Sequence, residues 1–337
     1  MFEKAYWITW EDHRRSRELA KALSIEYVPL LHKGERYIRY PVLSLRTLLF
    51  VLKNRPKLIF CQNPSIVLSS FLVFLKPLFG YVLVMDRHTN FKFSTENSRE
   101  LKWRLFHVLS RYVNSSADLT IVTNEYLKQL VDRVGGRGFV LQDKLPAIHG
   151  VAREMEKKFH VMFISTFSED EPIEEVFEAA RILGSKYRIH VTGNYAKFNP
   201  INSGQLKVPR NVELTGYLEE TDYQDLLASV DVVMVITDME YTLTCGAYEA
   251  VAVGKPMVLS DTKTIRSYFT KGAHYARPIA AEIADQVCAA CDDLRRLEEE
   301  VAILKHELEK DWSVRFANLR SLICDLGGFP NSQKQHN

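Results

Sequence analysis

Short apolar runs alternate with stretches of helical period along almost the whole chain. KAYWITW, SIEYVPL, KLIFCQ, GYVLVMD, DLTIVT and GFVLQ have the length and the β-branched and aromatic content of buried strands. Between them, apolar residues recurring every three to four positions predict helices at Arg14 to Leu23, Pro41 to Lys53, Ser65 to Leu78, Ser98 to Val113 and Glu125 to Val134. The alternation then restarts. FHVMFIS, YRIHVTG, NVELTG, DVVMVIT, KPMVLS and AHYA are strands, with helices at Pro172 to Leu183, Thr221 to Ser229, Gly246 to Val253 and Thr264 to Phe269. Strands alternating with helices build βα units around a parallel sheet, so the restart predicts an α/β protein of two doubly wound, Rossmann-like domains. The expected domains are 1–150 and 151–310, joined near Ile148 to Lys158. Pro278 to Cys324 reads as helix throughout, with i,i+4 charge pairs on one face and Leu, Val and Ile on the other. Its last part, 311–327, is expected to pack back on the first domain, ahead of a flexible tail at 328–337.

At 337 residues the chain suits two cores rather than one. The start, MFEKAYWITW, has neither the basic opening nor the long apolar run of a signal peptide, so a cytoplasmic protein is expected. The most apolar segment, Ile66 to Met85, is broken by Lys76, Pro77 and Gly80 and reads as helix, turn and strand rather than a membrane span. Five cysteines at positions 61, 245, 288, 291 and 324 form no disulfide or zinc framework and are expected as free thiols.

The net charge of +2 hides a division. Residues 1–150 hold 23 Lys+Arg against 13 Asp+Glu, a net +10, and the remainder 21 against 29, a net −8. A basic half fits nucleic acid, an anionic lipid surface or a phosphorylated substrate, or is simply a solvated basic face. No motif interleaves stacking aromatics with basic residues, which argues against nucleic acid. Leu and Phe mixed with Lys and Arg in SLRTLLFVLKNRPK and FLVFLKPLF suit either buried core helices or a peripheral contact with the inner face of the plasma membrane.

Doubly wound sheets bind ligands at the carboxyl ends of their strands. After the strand DVVMVIT comes MEYTLTCGAYEAVAVGKPMVLSD, a loop leading into a helix that starts near Cys245 and Gly246. Thr242 and Thr244 are natural helix caps, and the N–H groups of a helix start suit phosphate oxygens. Glu249, one turn in, suits the vicinal hydroxyls of a ribose. A nucleoside diphosphate satisfies both ends, although a first-turn acid can also merely complement the helix dipole.

This segment resembles the donor-binding segment of GT-B-fold glycosyltransferases, particularly family 4 and its relatives, written E-G-F-G-x-x-x-x-E-A-x-A-x-G-x-P-V. Glu249, Ala250, Ala252, Gly254 and Pro256 match the second half of it. The resemblance implies two domains facing across a cleft. It also implies a metal-independent transfer from a UDP- or GDP-linked sugar, which is a co-substrate, with no cofactor. Glu249 would then hold the ribose, and Thr242, Thr244, Cys245 and Gly246 the diphosphate. The family's first glutamate falls at Tyr241, with Glu240 one residue early, so these two are the candidates for contact with the donor sugar. FHVMFISTFSEDEP resembles the first strand and turn of the family's donor domain. It adds Ser165 and Thr166 without the usual Arg and Lys, and VTGNYAKF adds Thr192, Gly193 and Asn194.

In the first half LVMDRHTNF ends a strand on Asp86, Arg87 and His88. The resemblance places a histidine of this loop by the transferred sugar, making His88 and Asp86 the catalytic candidates and Arg87 an acceptor contact. His13, Arg14 and Arg15 open a helix whose dipole they oppose, which favours an anionic ligand there. CQNPS resembles a loop of the chitobiosyldiphosphodolichol mannosyltransferases, which use lipid-linked acceptors, and adds Asn63. The expected partners are a nucleotide-sugar donor and a glycan or lipid-linked acceptor in cell-surface polysaccharide synthesis. A nucleotide-sugar epimerase on the same fold and a catalytically silent scaffold subunit are the rival readings.

Overall fold

A computed structural model describes residues 2–62, 65–88 and 93–330. The candidate Asn63 and the end of the tail, 331–337, lie outside the described residues. Two compact units divide the chain: 1–143 with 312–337, and 144–311. The first boundary lies before the predicted linker because the segment following Asp143 is tied to the second unit. His149 N donates to Gln224 Oε1 at 3.0 Å and Val151 N to Asp225 Oδ1 at 2.8 Å.

In the first unit the chain runs β1 (Ala5–Thr9), α1 (Arg14–Leu23), β2 (Glu26–Pro29), α2 (Arg36–Asn54), β3 (Leu58–Gln62), α3 (Ile66–Phe79), β4 (Val82–Arg87), α4 (Leu101–Ser116), β5 (Leu119–Val122), α5 (Glu125–Arg133) and β6 (Gly138–Val140). The strands form one parallel sheet in the order β2-β1-β3-β4-β5-β6. Every residue of β3 and β5 is buried, as expected of strands covered on both faces. One face packs on Leu43 and Val51 of α2, Leu68 and Leu72 of α3 and Val113 of α4. The other packs on Leu19 and Leu23 of α1 and on Leu319 and Ile323 near the carboxyl end of the chain.

The second unit runs β7 (Phe159–Phe163), α6 (Ile173–Leu183), β8 (Tyr187–Thr192), α7 (Asn199–Asn202), β9 (Val212–Gly216), α8 (Glu220–Ser229), β10 (Val232–Val235), α9 (Cys245–Val253), β11 (Met257–Ser260), α10 (Lys263–Tyr268), β12 (Ala273–Ala276) and α11 (Ala280–Asp292). Its parallel sheet has the order β12-β11-β10-β7-β8-β9. Helix α12 (Leu294–Gly327) starts in this unit, burying Val301 and Leu304, and ends in the first. The long terminal helix predicted from sequence is thus two helices. Asp293, at φ −114° and ψ 18°, interrupts them, and its carbonyl accepts from Leu297 N.

In each sheet the strand order reverses beside the strand that opens the unit, β1 in the first and β7 in the second. Crevices for ligands lie at such switch points, outside the carboxyl ends of the strands. The switch points fall between β1 and β3 in one unit and between β7 and β10 in the other, and Asp86 and Arg87 end the next strand, β4, directly before His88.

Candidate functional site

Beyond β10 the chain crosses a loop and enters α9 with Thr244 as the N-cap residue, in extended geometry but with no capping bond from its side chain. The hydroxyls of Thr242 and Thr244 are shielded from solvent and have no hydrogen-bond partner among the described residues. A buried hydroxyl without a partner costs about 1–3 kcal/mol, so two of them at a helix start mark a place where an outside acceptor belongs. Cys245 is exposed at that start. Gly246 serves packing: a Cβ there would lie 2.9 Å from Ile164 Cδ1 and 3.0 Å from Val235 Cγ2, so the glycine lets α9 sit against the sheet.

Glu249 Oε2 accepts from Tyr223 Oη of α8 at 2.6 Å. Burial, reinforced by the Glu249 charge, drives the Tyr223 phenol far above its ordinary value, so it remains a donor and fixes the carboxylate. Tyr223 was not a sequence candidate. It lies 26 residues before Glu249 on another helix, an interval that no helical or strand period links.

The turn after β7 is different. Thr166 N donates to Glu171 Oε1 and Oε2 at 3.1 and 2.9 Å, and Ser168 N to Oε2 at 3.2 Å. Ser165 Oγ and Thr166 Oγ1 donate to the same carboxylate at 2.7 and 3.1 Å. Ser165 and Thr166, expected to meet a diphosphate, thus enclose the chain's own anion. Phe167 sits at φ 59°, a left-handed conformation that strains a residue with a Cβ. Gly193, at φ +101°, closes the neighbouring loop, where a Cβ would fall 2.3 Å from the Ser165 carbonyl oxygen.

Thr192 accepts from Ser165 N at 3.2 Å, and the Asn194 side chain accepts from Ala196 N at 3.2 Å, so both shape the loops. Asp170 joins this turn to the β10 loop, accepting from Thr237 Oγ1 at 2.6 Å and, through its carbonyl, from Asp238 N at 2.9 Å. Burial and the Asp170 charge raise the pKa of Asp238. Glu240 Oε1 accepts from Thr264 N at 3.2 Å and is held at the start of α10; Tyr241 is half-buried in the same loop.

In the first unit the anions that Arg15 meets belong to the chain itself, which corrects the expectation of an outside ligand. Its Nε donates to Asp86 Oδ1 at 3.0 Å, its Nη1 to Asp143 and its Nη2 to the Leu141 carbonyl at 2.8 Å. Burial works to raise the Asp86 pKa, but Arg15 and the hydrogen bond from His88 outweigh it and hold Asp86 down to about 2. Asp86 is therefore a fixed carboxylate rather than a base. His88 Nδ1 donates to Asp86 Oδ2 at 3.2 Å, a contact that places the lone pair of neutral His88 on Nε2.

The His13 ring lies 4.5 Å from the His88 ring, centroid to centroid. Burial first, then the neighbouring His88, lowers the His13 pKa, and His13 Nδ1 is buried with no partner among the described residues. Arg14 is exposed at the start of α1. Arg87 is turned inward: burial lowers its pKa, and its guanidinium lies 5.8 Å from the Phe93 ring centre.

A cavity of about 620 Å³ in the second unit lies elsewhere, lined by His160, His190, Arg188 and Glu213 and by none of the predicted residues. His160 Nδ1 and His190 Nε2 are 2.9 Å apart there, and burial lowers the His190 pKa to about 4. None of the five cysteines is in a disulfide. Among the described residues no three His, Cys, Asp or Glu are grouped to hold a metal, and no helix is long and apolar enough to cross a membrane.

Solved structures with this architecture are matched over nearly the whole chain. HepE of Anabaena, in complex with UDP, superposes with a TM-score of 0.71 at 11% identity, covering 96% of this chain and 100% of that one. Sucrose-phosphate synthase of Thermosynechococcus elongatus gives 0.79 at 14% identity, covering 97% and 99%. The fold is GT-B. A third GT-B neighbour, the trehalose 6-phosphate synthase of Burkholderia multivorans, gives 0.68 at 13% identity, covering 98% and 99%. Residues 158–294, the sheet-forming part of the second GT-B unit, match the family model described as Glycosyl transferases group 1. No curated protein matches the chain by sequence.

Proposed function

We propose that the protein is a glycosyltransferase that takes a nucleotide diphosphate sugar on its second unit and passes the sugar to a glycan or lipid-linked acceptor held by its basic first unit. The observation that carries the reading is the start of α9, where two buried threonine hydroxyls have no partner among the described residues and Glu249 is fixed one turn further on. Diphosphate oxygens satisfy the hydroxyls and the helix start, and ribose hydroxyls meet Glu249. The group 1 match over 158–294 and the UDP held by the HepE crystal structure support the same donor class.

His88, oriented by Asp86, is the group placed to accept a proton from the acceptor hydroxyl. The leaving diphosphate is stabilised by the helix start and the threonines, a preorganised set of donors that requires no metal. The cytoplasm, with the first unit at the inner face of the plasma membrane, is the matching location. A silent scaffold is the second reading. It is favoured by Glu171, whose carboxylate fills the turn expected to meet phosphate, and by Glu240, whose carboxylate is engaged by Thr264 N at the start of α10.

Titration calorimetry with UDP, GDP and ADP on wild type, Glu249→Ala and Thr244→Val tests the donor site. One nucleotide is expected to bind, and Glu249→Ala is expected to weaken it by about 1.5–3 kcal/mol, roughly 10- to 150-fold. Equal affinity in wild type and Glu249→Ala removes the assignment. Release of free sugar or transfer from the bound donor then separates enzyme from scaffold.

A further inference from the structure

We propose that the outer side of α2, α3 and α4 is a docking face for an anionic lipid bilayer. The three helices lie side by side on one face of the first sheet, with α3 packed between α2 and α4. Their sequences contain eight Lys and Arg and no Asp or Glu. Nothing in sheet packing requires this, because helix α12 mixes both signs along its length.

The outer positions are also apolar in register. On α2, Ile38, Leu45, Leu49 and Leu52 are exposed along one side, between 42% and 56% of their surface. Helix α3 adds Phe74 and Leu78, at 66% and 69%. On α4, Leu101, Leu105, Val108 and Tyr112 fall at i, i+4, i+7 and i+11, a single stripe that is more than half exposed. The stripes are not core residues left uncovered at random, since α2 and α3 each bury a separate set against the sheet and α4 turns Val113 towards it.

Arg36, Arg46, Lys53, Arg104 and Arg111 flank these stripes and are exposed. Aliphatic side chains that enter the acyl boundary, bordered by long basic side chains that reach up to headgroups, are the chemistry of an interfacial contact. Five exposed cations without an intervening acid on the helices select an anionic surface. A second copy of this chain is the weaker occupant, because a two-fold contact would bring one basic row against another. The face belongs to the first unit and the proposed nucleotide site to the second, so docking and nucleotide binding are tested separately.

Full-length protein is floated with vesicles of phosphatidylcholine alone or with about one-third phosphatidylglycerol. Wild type is expected to float with the anionic vesicles, to stay behind with the neutral ones, and to be released by salt. Leu49→Glu/Leu105→Glu and Arg46→Glu/Arg104→Glu are each expected to lower the bound-to-free ratio by about tenfold or more, as each Lys or Arg near such a surface is worth about 1 kcal/mol. Their melting temperatures and nucleotide affinities should match wild type, because the changed positions are exposed. Wild type that does not float with anionic vesicles overturns the proposal, as do folded variants that float equally well. A wild-type dimer in light scattering that Leu49→Glu/Leu105→Glu converts to monomer, without vesicle binding, assigns the face to self-association instead.

Discussion

At the carboxyl end of β7, amides and hydroxyls surround the Glu171 carboxylate, whereas beyond β10 the hydroxyls of Thr242 and Thr244 face no partner among the described residues. Both segments have the composition of an anion cradle. In one the anion is supplied by the chain and the turn is complete without a ligand; in the other the donors are in place and an outside acceptor completes them. The first unit repeats the filled arrangement, with Asp86 and Asp143 around buried Arg15. Charged or phosphate-ready residues at a strand end therefore do not by themselves mark a binding site. The deciding observation is whether a partner from the same chain already answers them.

The strongest way to break this comparison is to empty a filled site. Asp86→Ala leaves Arg15 buried beside Asp143 alone and is expected to cost about 3–5 kcal/mol in urea denaturation. The exposed pairs of Arg153 with Asp222 and Asp225 are screened by solvent, so Arg153→Ala, expected to lose far less stability, is the contrast. If the two variants lose equal stability, Arg15 and Asp86 are not the fixed structural unit described above.

The same ion pair has a pH signature. The Asp86 pKa falls from 3.8 to about 2 on folding, so its stabilising contribution is complete above pH 3.8 and is lost as the pH drops from 3.8 towards 2. By this linkage it amounts to about 2 kcal/mol. His190 has its folded pKa lowered from 6.5 to about 4, so its contribution is complete above pH 6.5 and declines earlier, between pH 6.5 and 4. Melting temperature followed against pH should fall through both windows, and Asp86→Asn should reduce the lower loss, to which Asp132 and Asp261, also held below the usual carboxylate range, still contribute.

Glu171→Gln sharpens the comparison inside the second unit. It keeps the shape of the filled cradle and removes its charge, so a nucleoside diphosphate at the α9 start should bind about fivefold more tightly by calorimetry. Unchanged affinity would mean that the two cradles do not share one ligand. Gly246→Ala is expected to have the smallest effect. The added methyl crowds Ile164 Cδ1 at 2.9 Å, Val235 Cγ2 at 3.0 Å and Ile164 Cβ at 3.2 Å, and better helix propensity offsets part of that crowding, leaving about 1 kcal/mol in thermal denaturation.

Strands were legible because parallel strands buried on both faces read as continuous apolar runs; all twelve predicted runs form strands. Helix α1 begins and ends where its pattern does. Pro41 misled at α2. It reads as a first-turn proline, yet the helix starts five residues earlier at Arg36 and tolerates the missing N–H in its second turn. In the site, Glu249 was legible from its spacing in the motif, and its anchor Tyr223 was not. The partners of Arg15, Thr166 and Glu240 were equally hidden, since Asp86, Glu171 and Thr264 are found by side-chain direction rather than by interval along the chain.

Helix α12 carries residues of both units, and Leu319 and Ile323 complete a core whose strands are the earliest part of the chain. During synthesis, more than half of the protein must leave the ribosome between β6 and the helix segment that closes the first core. The second unit is contiguous and can fold as it emerges, whereas the first must wait with one sheet face partly open until the last turns arrive. The amino-terminal unit is thus made first and finished last.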